Sequence, residues 1–188
     1  MEIQTFEIAG VTLLVPRHIG DERGYFAETF RADLFAEKVG DYSFVQDNES
    51  LSARAGTIRG LHFQSEPYAQ GKLVRCTTGA LFDVAVDIRS GSPTYGQWIG
   101  ETLTPDNGKQ LWVPPGFAHG FCTFQPNTVI SYKVTGAYYN AECDKGLSWD
   151  DPAIGISWPD AADPETLSPK DRKQPLLVDL PAYFSWSA

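Results

Sequence analysis

The sequence is short of histidine, cysteine and basic charge and has no long apolar run, and each shortage removes a class of function. Cys76, Cys122 and Cys143 are odd in number and show no C-x-x-C spacing. Neither a disulfide framework nor a zinc ribbon is therefore expected, and a reducing, cytoplasmic setting fits. No stretch approaches the ~18 apolar residues of a membrane span, and no basic-then-apolar leader follows Met1. Lys and Arg number 15 against 24 Asp and Glu, a net charge of −9. That balance argues against general binding to a nucleic-acid backbone, but leaves room for a local basic pocket around a small anion. A P-loop, a dinucleotide G-x-G-x-x-G and a G-x-S-x-G elbow are all missing.

What is present reads as a globular chain. An apolar content of 42% with 13% aromatics argues against disorder, and 188 residues suit a single domain over 1–188. Glycines and prolines are scattered, as expected of turns between many short elements. Leu81–Ile88 alternates most clearly: Phe82, Val84, Val86 and Ile88 share an apolar face, while Leu81, Asp83, Ala85 and Asp87 share the other. This pattern predicts a strand between a hydrophobic layer and a partly polar cavity. Further strands are expected at 12–15, 25–30, 44–48, 72–76, 98–103, 110–113, 120–123 and 129–134, with one short helix at 31–39. Ser168-Pro169-Lys170-Asp171 resembles a helix start, and the aromatic tail is expected to pack across the barrel. Many short strands favour an all-β sandwich or jelly-roll barrel with few helices.

Histidine is limited to His18, His62 and His119. A metal site in such a barrel wants a close His-x-His pair, yet His62 is followed by Phe63 and Gln64. No metal is expected. At period two, Gly60, His62 and Gln64 share one face and Arg59, Leu61 and Phe63 the other, unless Gly60 introduces a bulge. His62 facing a lumen would suit a general base near neutral pH, oriented by Asp83, Asp87 or Asp171; it would equally suit a structural core histidine. Lys72 could steady an oxyanion or snorkel at the surface. Tyr132 and Lys133 alternate, so one of them faces inward. His119 follows a proline-stiffened turn that could aim it at a ligand or merely connect.

Several spaced segments carry a further signal: Asp21–Glu28, Gln46–Ser50, Arg59–Gln64, Gln70–Val74, Phe82–Asp87, Gly116–Phe121, Tyr132-Lys133, Trp149–Pro152 and Leu167–Asp171. In this order they resemble the dTDP-4-dehydrorhamnose 3,5-epimerase family over nearly the whole chain. The resemblance implies a metal-free, cofactor-free cupin-type jelly roll, acting as a homodimer on a dTDP-4-keto-6-deoxy sugar. It implies His62 as base oriented by Asp171, Lys72 as enolate stabiliser and Tyr132 as acid. Arg59, His119 and Lys170 would hold the nucleotide sugar, and Gln46, Asp47, Asn48 and Glu28 the nucleoside end. Arg23, with Phe26, would reach in from the partner subunit. Between Tyr132 and Trp149 the chain is one residue longer than the family pattern. Tyr138 is taken as the thymine-stacking aromatic, with Tyr139 the alternative, and Glu142, Cys143 and Asp144 compete for the family's glutamate. A relative inverting C3 or C5 alone, and a non-catalytic sugar-nucleotide module, are the rival readings.

Overall fold

The structure, a computed structural model, describes residues 1–187. It begins with β1 (Glu2–Thr5), β2 (Thr12–Val15), β3 (Ile19–Asp21), β4 (Gly24–Phe26), α1 (Ala32–Lys38), β5 (Phe44–Ser52) and β6 (Ile58–Gln64). It continues with β7 (Lys72–Thr78), β8 (Leu81–Asp87), β9 (Arg89–Ser90), β10 (Trp98–Leu103), β11 (Gln110–Val113) and β12 (Phe117–Thr123). The last strands are β13 (Thr128–Thr135), β14 (Asp144–Gly146) and β15 (Phe184–Ser185), and the tail adds single 3-10 turns at Pro164–Thr166, Asp171–Lys173 and Leu177–Asp179.

Two antiparallel sheets face each other, with strand orders β1-β2-β11-β7-β13-β5 and β10-β8-β12-β6-β14. The architecture is an all-β, cupin-type jelly roll. Leu13, Val74, Leu111 and Ile130 of the first sheet meet Leu81, Ala85, Leu103 and Phe121 of the second in a dry core. Each of the Leu, Val, Ile and Phe side chains among them, once fully buried, contributes about 1.5–3 kcal/mol. β8 behaves as its alternation predicts. Val84, Val86 and Ile88 leave the barrel on the other side and pack under tail residues Ile154, Leu177, Leu180, Tyr183 and Phe184. Helix α1 turns Phe35 onto Trp112, Leu14 and Leu73, covering part of the outer face of the six-stranded sheet.

β5 runs on to Ser52 and β7 to Thr78, beyond the expected 48 and 76, and three further differences bear on the site. The strand expected at 25–30 stops at Phe26: Phe26 is exposed, and Tyr25, although its ring stacks on His18 at 4.0 Å, stays largely exposed as well. β12 begins at Phe117 rather than Gly120, so His119 lies inside a strand and not in the turn leading to it. The helix start read at Ser168 becomes one 3-10 turn: Ser168 Oγ accepts the Asp171 N–H at 3.1 Å, but Gln174 returns to extended backbone.

Candidate active site

The site is built on a defect in β6. His119 pairs with His62 across β12 and β6, but Phe121 pairs with Arg59, so β6 carries one extra residue at Gly60-Leu61. Gly60 has φ +122°, and a Cβ there would lie 2.6 Å from Gly120 Cα, so only glycine permits the contact. The bulge resets the alternation: Leu61 and Phe63 pack outward, while Arg59 joins His62 on the cavity wall. His62 Nε2 lies 2.5 Å from Asp171 Oδ1. On the adjacent strand, His119 Nε2 lies 2.8 Å from Asp83 Oδ1. The three carboxylates open in the sequence thus separate: Asp171 takes His62, Asp83 takes His119, and Asp87 takes Arg89, Ser92 and Thr94.

The opposite sheet supplies Lys72 from β7 and Tyr132 from β13. His62, Lys72 and Tyr132 line both of two adjoining lobes, of about 360 and 200 Å³. The larger lobe adds Arg59, His119, Asp171, Ser50, Phe121 and Ser168. The smaller adds Gln46, Asn48, Gln64, Gln70, Tyr139, Asp144 and Lys170. Electrostatics sort these groups. Burial raises the Asp171 carboxyl, but hydrogen bonds to His62, Ser168 and the Gly60 backbone outweigh it and hold it below its ordinary value. Lys72 retains some surface toward the cavity, yet desolvation brings its ammonium down to about 8, with Asp83 and Asp144 supporting the charge and Lys170 opposing it. Burial raises the Tyr132 phenol, so it stays protonated at neutral pH. Asp83 Oδ2 is the one buried side-chain polar atom without a hydrogen-bond partner among the described residues.

Not every residue singled out in the sequence meets this cavity. Gln46 and Asn48 face it, but Asp47 between them points to the other face of β5 and pairs with Lys133 at 3.0 Å. Tyr132 is accordingly the inward member of its pair. Arg23 and Phe26 sit on the exposed β3–β4 hairpin, where Arg23 pairs with Asp21, and Glu28 lies 3.8 Å from Arg31. These three are not brought to His62 within one chain. Tyr138 is 70% exposed and lines neither lobe; Tyr139 is on the wall, its OH donating to Asp144 Oδ2 at 3.0 Å. Asp144 lines the same lobe as Tyr139 and also pairs with Lys170 at 2.5 Å. Gln64 and Gln70 were missed; in β6, the period-two face of His62 pointed to Gln64. Among the described residues, no group of three or more His, Cys, Asp or Glu is arranged to hold a metal ion. No described helix is long and apolar enough to cross a membrane.

A sequence model of the dTDP-4-dehydrorhamnose 3,5-epimerases matches residues 5–179. The chain belongs to this family. A dTDP-4-dehydrorhamnose 3,5-epimerase of Sinorhizobium fredii is 62% identical over 186 residues, covering 99% of this chain and 94% of that protein. The crystal structure of dTDP-6-deoxy-D-glucose-3,5-epimerase from Legionella pneumophila, in complex with dTDP-4-keto-L-rhamnose, superposes with a TM-score of 0.92. It is 42% identical, with 100% of this chain and 99% of that one covered. A more distant relative, a dTDP-4-dehydrorhamnose 3-epimerase of Streptomyces niveus, is 36% identical over 195 residues, covering 100% of this chain and 92% of that protein. Family membership makes this jelly roll an epimerase of the rhamnose route.

Proposed function

We propose that the enzyme inverts C3 and C5 of dTDP-4-dehydro-6-deoxy-D-glucose, giving dTDP-4-dehydro-L-rhamnose, without metal or cofactor. One observation carries this reading: a carboxylate-oriented imidazole and a protonated phenol come from opposite sheets and line the same cavity, with an ammonium beside them. The C4 ketone acidifies the protons on C3 and C5. An ionised Asp171 accepts the Nε2–H of His62 and leaves the Nδ1 lone pair to take a carbon-bound proton. The electrons move into the ketone, and the Lys72 ammonium stabilises the enolate oxygen. Tyr132 then protonates the carbon from the opposite face, inverting it. Nothing is oxidised overall.

Arg59, His119 and Lys170 hold the nucleotide sugar in this reading. Arg59 has its fork braced by the Leu51 carbonyl at 3.1 Å and by Ser52 Oγ at 3.2 Å. Gln46, Asn48 and the Tyr139 ring take the nucleoside, with Tyr139 in place of Tyr138. Asp47 has no part within its own cavity. Arg23, Phe26 and Glu28 serve the site of a second copy in a homodimer, a reading supported by an Arg23 side chain 84% exposed on its hairpin. The catalytic unit is a single domain over 1–188, cytoplasmic and without nucleic-acid or membrane partners. Incubation with the 4-keto-6-deoxyglucose nucleotide in heavy water, read by NMR, tests the proposal. Deuterium at both C3 and C5 with both centres inverted is expected. Inversion at one carbon would establish a monoepimerase, and no exchange a binding module.

A further inference from the structure

The tail from Trp149 to Leu180 contains only single turns, yet it supplies Asp171, whose placement against His62 defines the base. A segment without a ladder needs other fixed points. Upstream, Thr166 Oγ1 accepts the Ile58 N–H at 3.0 Å and ties the segment to the start of β6. Downstream the tie is indirect. β14 pairs with β6 through Gly146 and His62, and Leu147 exchanges both backbone hydrogen bonds with Leu61. The same run then reaches Asp151, a carboxylate only 3% exposed that lines neither lobe of the cavity. Its Oδ1 accepts the Ala153 N–H at 2.8 Å, closing its own turn, and its Oδ2 accepts the Leu177 N–H at 2.6 Å. Next to this link, Ser148 N–H donates to the Pro175 carbonyl at 2.8 Å.

These bonds form a closed path: His62 on β6, β14, Asp151, Leu177, back along the chain to Asp171, and across to His62. Carboxylate bonds to backbone N–H groups are short and charge-assisted, so Asp151 ties the stretch that follows Asp171 to the run that continues β14, in addition to the direct bond from the Gly60 backbone to Asp171. We infer that Asp151 is a positioning residue for the reaction, fixing the Asp171 carboxylate at its working distance from His62 without touching substrate. The inference rests on the assignment of His62 and Asp171 as the base pair. Ile154 and Leu177 bury apolar surface in the same cluster, so the tail stays docked when the carboxylate is changed, but out of register.

Asp151→Asn keeps the shape and turns an amide N–H₂ toward one of the two donors. Asp151→Ser retains an acceptor for the local turn but cannot reach Leu177. Both variants should bind dTDP as the wild type does and lose kcat by about 10²-fold, the order expected when a reacting group is misplaced by about 1 Å. The downfield imidazole N–H signal of the His62–Asp171 bond should weaken in both. In an Asp171→Asn background, either change should cost almost nothing more, because its effect runs through Asp171. Unchanged kcat in both variants, a loss that multiplies with that of Asp171→Asn, or failure of both variants to fold would each overturn the inference. Asp171→Asn alone separates the two levels. If it leaves the rate intact, the base assignment fails; if it loses rate while the Asp151 variants do not, only the positioning role fails.

Discussion

Two histidine–carboxylate pairs lie side by side on neighbouring strands, and the same residue types are built to opposite ends. His119 meets Asp83 at 2.8 Å with both side chains buried, 8% and 0% exposed, on two strands locked by a continuous ladder. His62 meets Asp171 at 2.5 Å, but His62 is 32% exposed to the cavity and its carboxylate arrives from an irregular tail. A ladder fixes the first pair as part of the wall. The second combines an open imidazole with a carboxylate held below its ordinary value, the combination a general base requires. In the proposed reading, position in the fold rather than residue type separates the substrate-holding His119 from the base His62.

The sharpest way to break this comparison is to remove each imidazole. His62→Asn should cost ~10²–10⁴-fold in kcat and abolish deuterium uptake, because no enolate forms. His119→Asn should keep exchange and act mainly on KM. Equal losses in kcat from the two, in the same deuterium assay, would erase the distinction.

A smaller effect separates the neighbouring tyrosines. Tyr139→Ala should weaken dTDP binding by the about 1–3 kcal/mol typical of a base stacked on an aromatic ring. Tyr138→Ala should leave calorimetric affinity unchanged. The reverse result would restore Tyr138.

The smallest effect is a pH shift. Lys72 is charged below about 8, so enolate stabilisation is present there and lost as pH rises through that value. The rate should fall on an alkaline limb near pH 8, and Asp83→Asn, by removing a charge that supports the ammonium, should move the limb to lower pH. Stability runs the other way. Folded Lys72 binds its proton less tightly than the unfolded chain, so its contribution improves as pH rises from about 8 toward the ordinary lysine value. Lys72→Met should remove that pH dependence from thermal melts. A limb unmoved by Asp83→Asn would dissociate Asp83 from Lys72.

The same contrast explains how much the sequence disclosed. β2, β10 and β11 lie within their expected bounds, because period-two alternation between turn residues is a local signal. The inward face of β8, with Asp83 on it, was legible for the same reason. Asp47 was also decidable: on a strand it cannot share a face with both Gln46 and Asn48. The choice of Asp171 over Asp83 and Asp87 was not, because it joins residues 109 positions apart through a tail with no periodicity. The move of Arg59 onto the face of His62 depended on the bulge that Gly60 only hinted at. That Tyr139 rather than Tyr138 lines the cavity was not legible, because the two lie in a loop where no alternation fixes the register.

The central claim is that His62 and Tyr132 address opposite faces of one carbon, and Tyr132→Phe in heavy water tests it most directly. The variant keeps the ring and loses only the phenol, so His62 can still remove a proton and return a solvent deuteron to the same face. Deuterium uptake with retained configuration, while inversion slows sharply, is the predicted result; inversion at the wild-type rate, or exchange and inversion falling together, would contradict it.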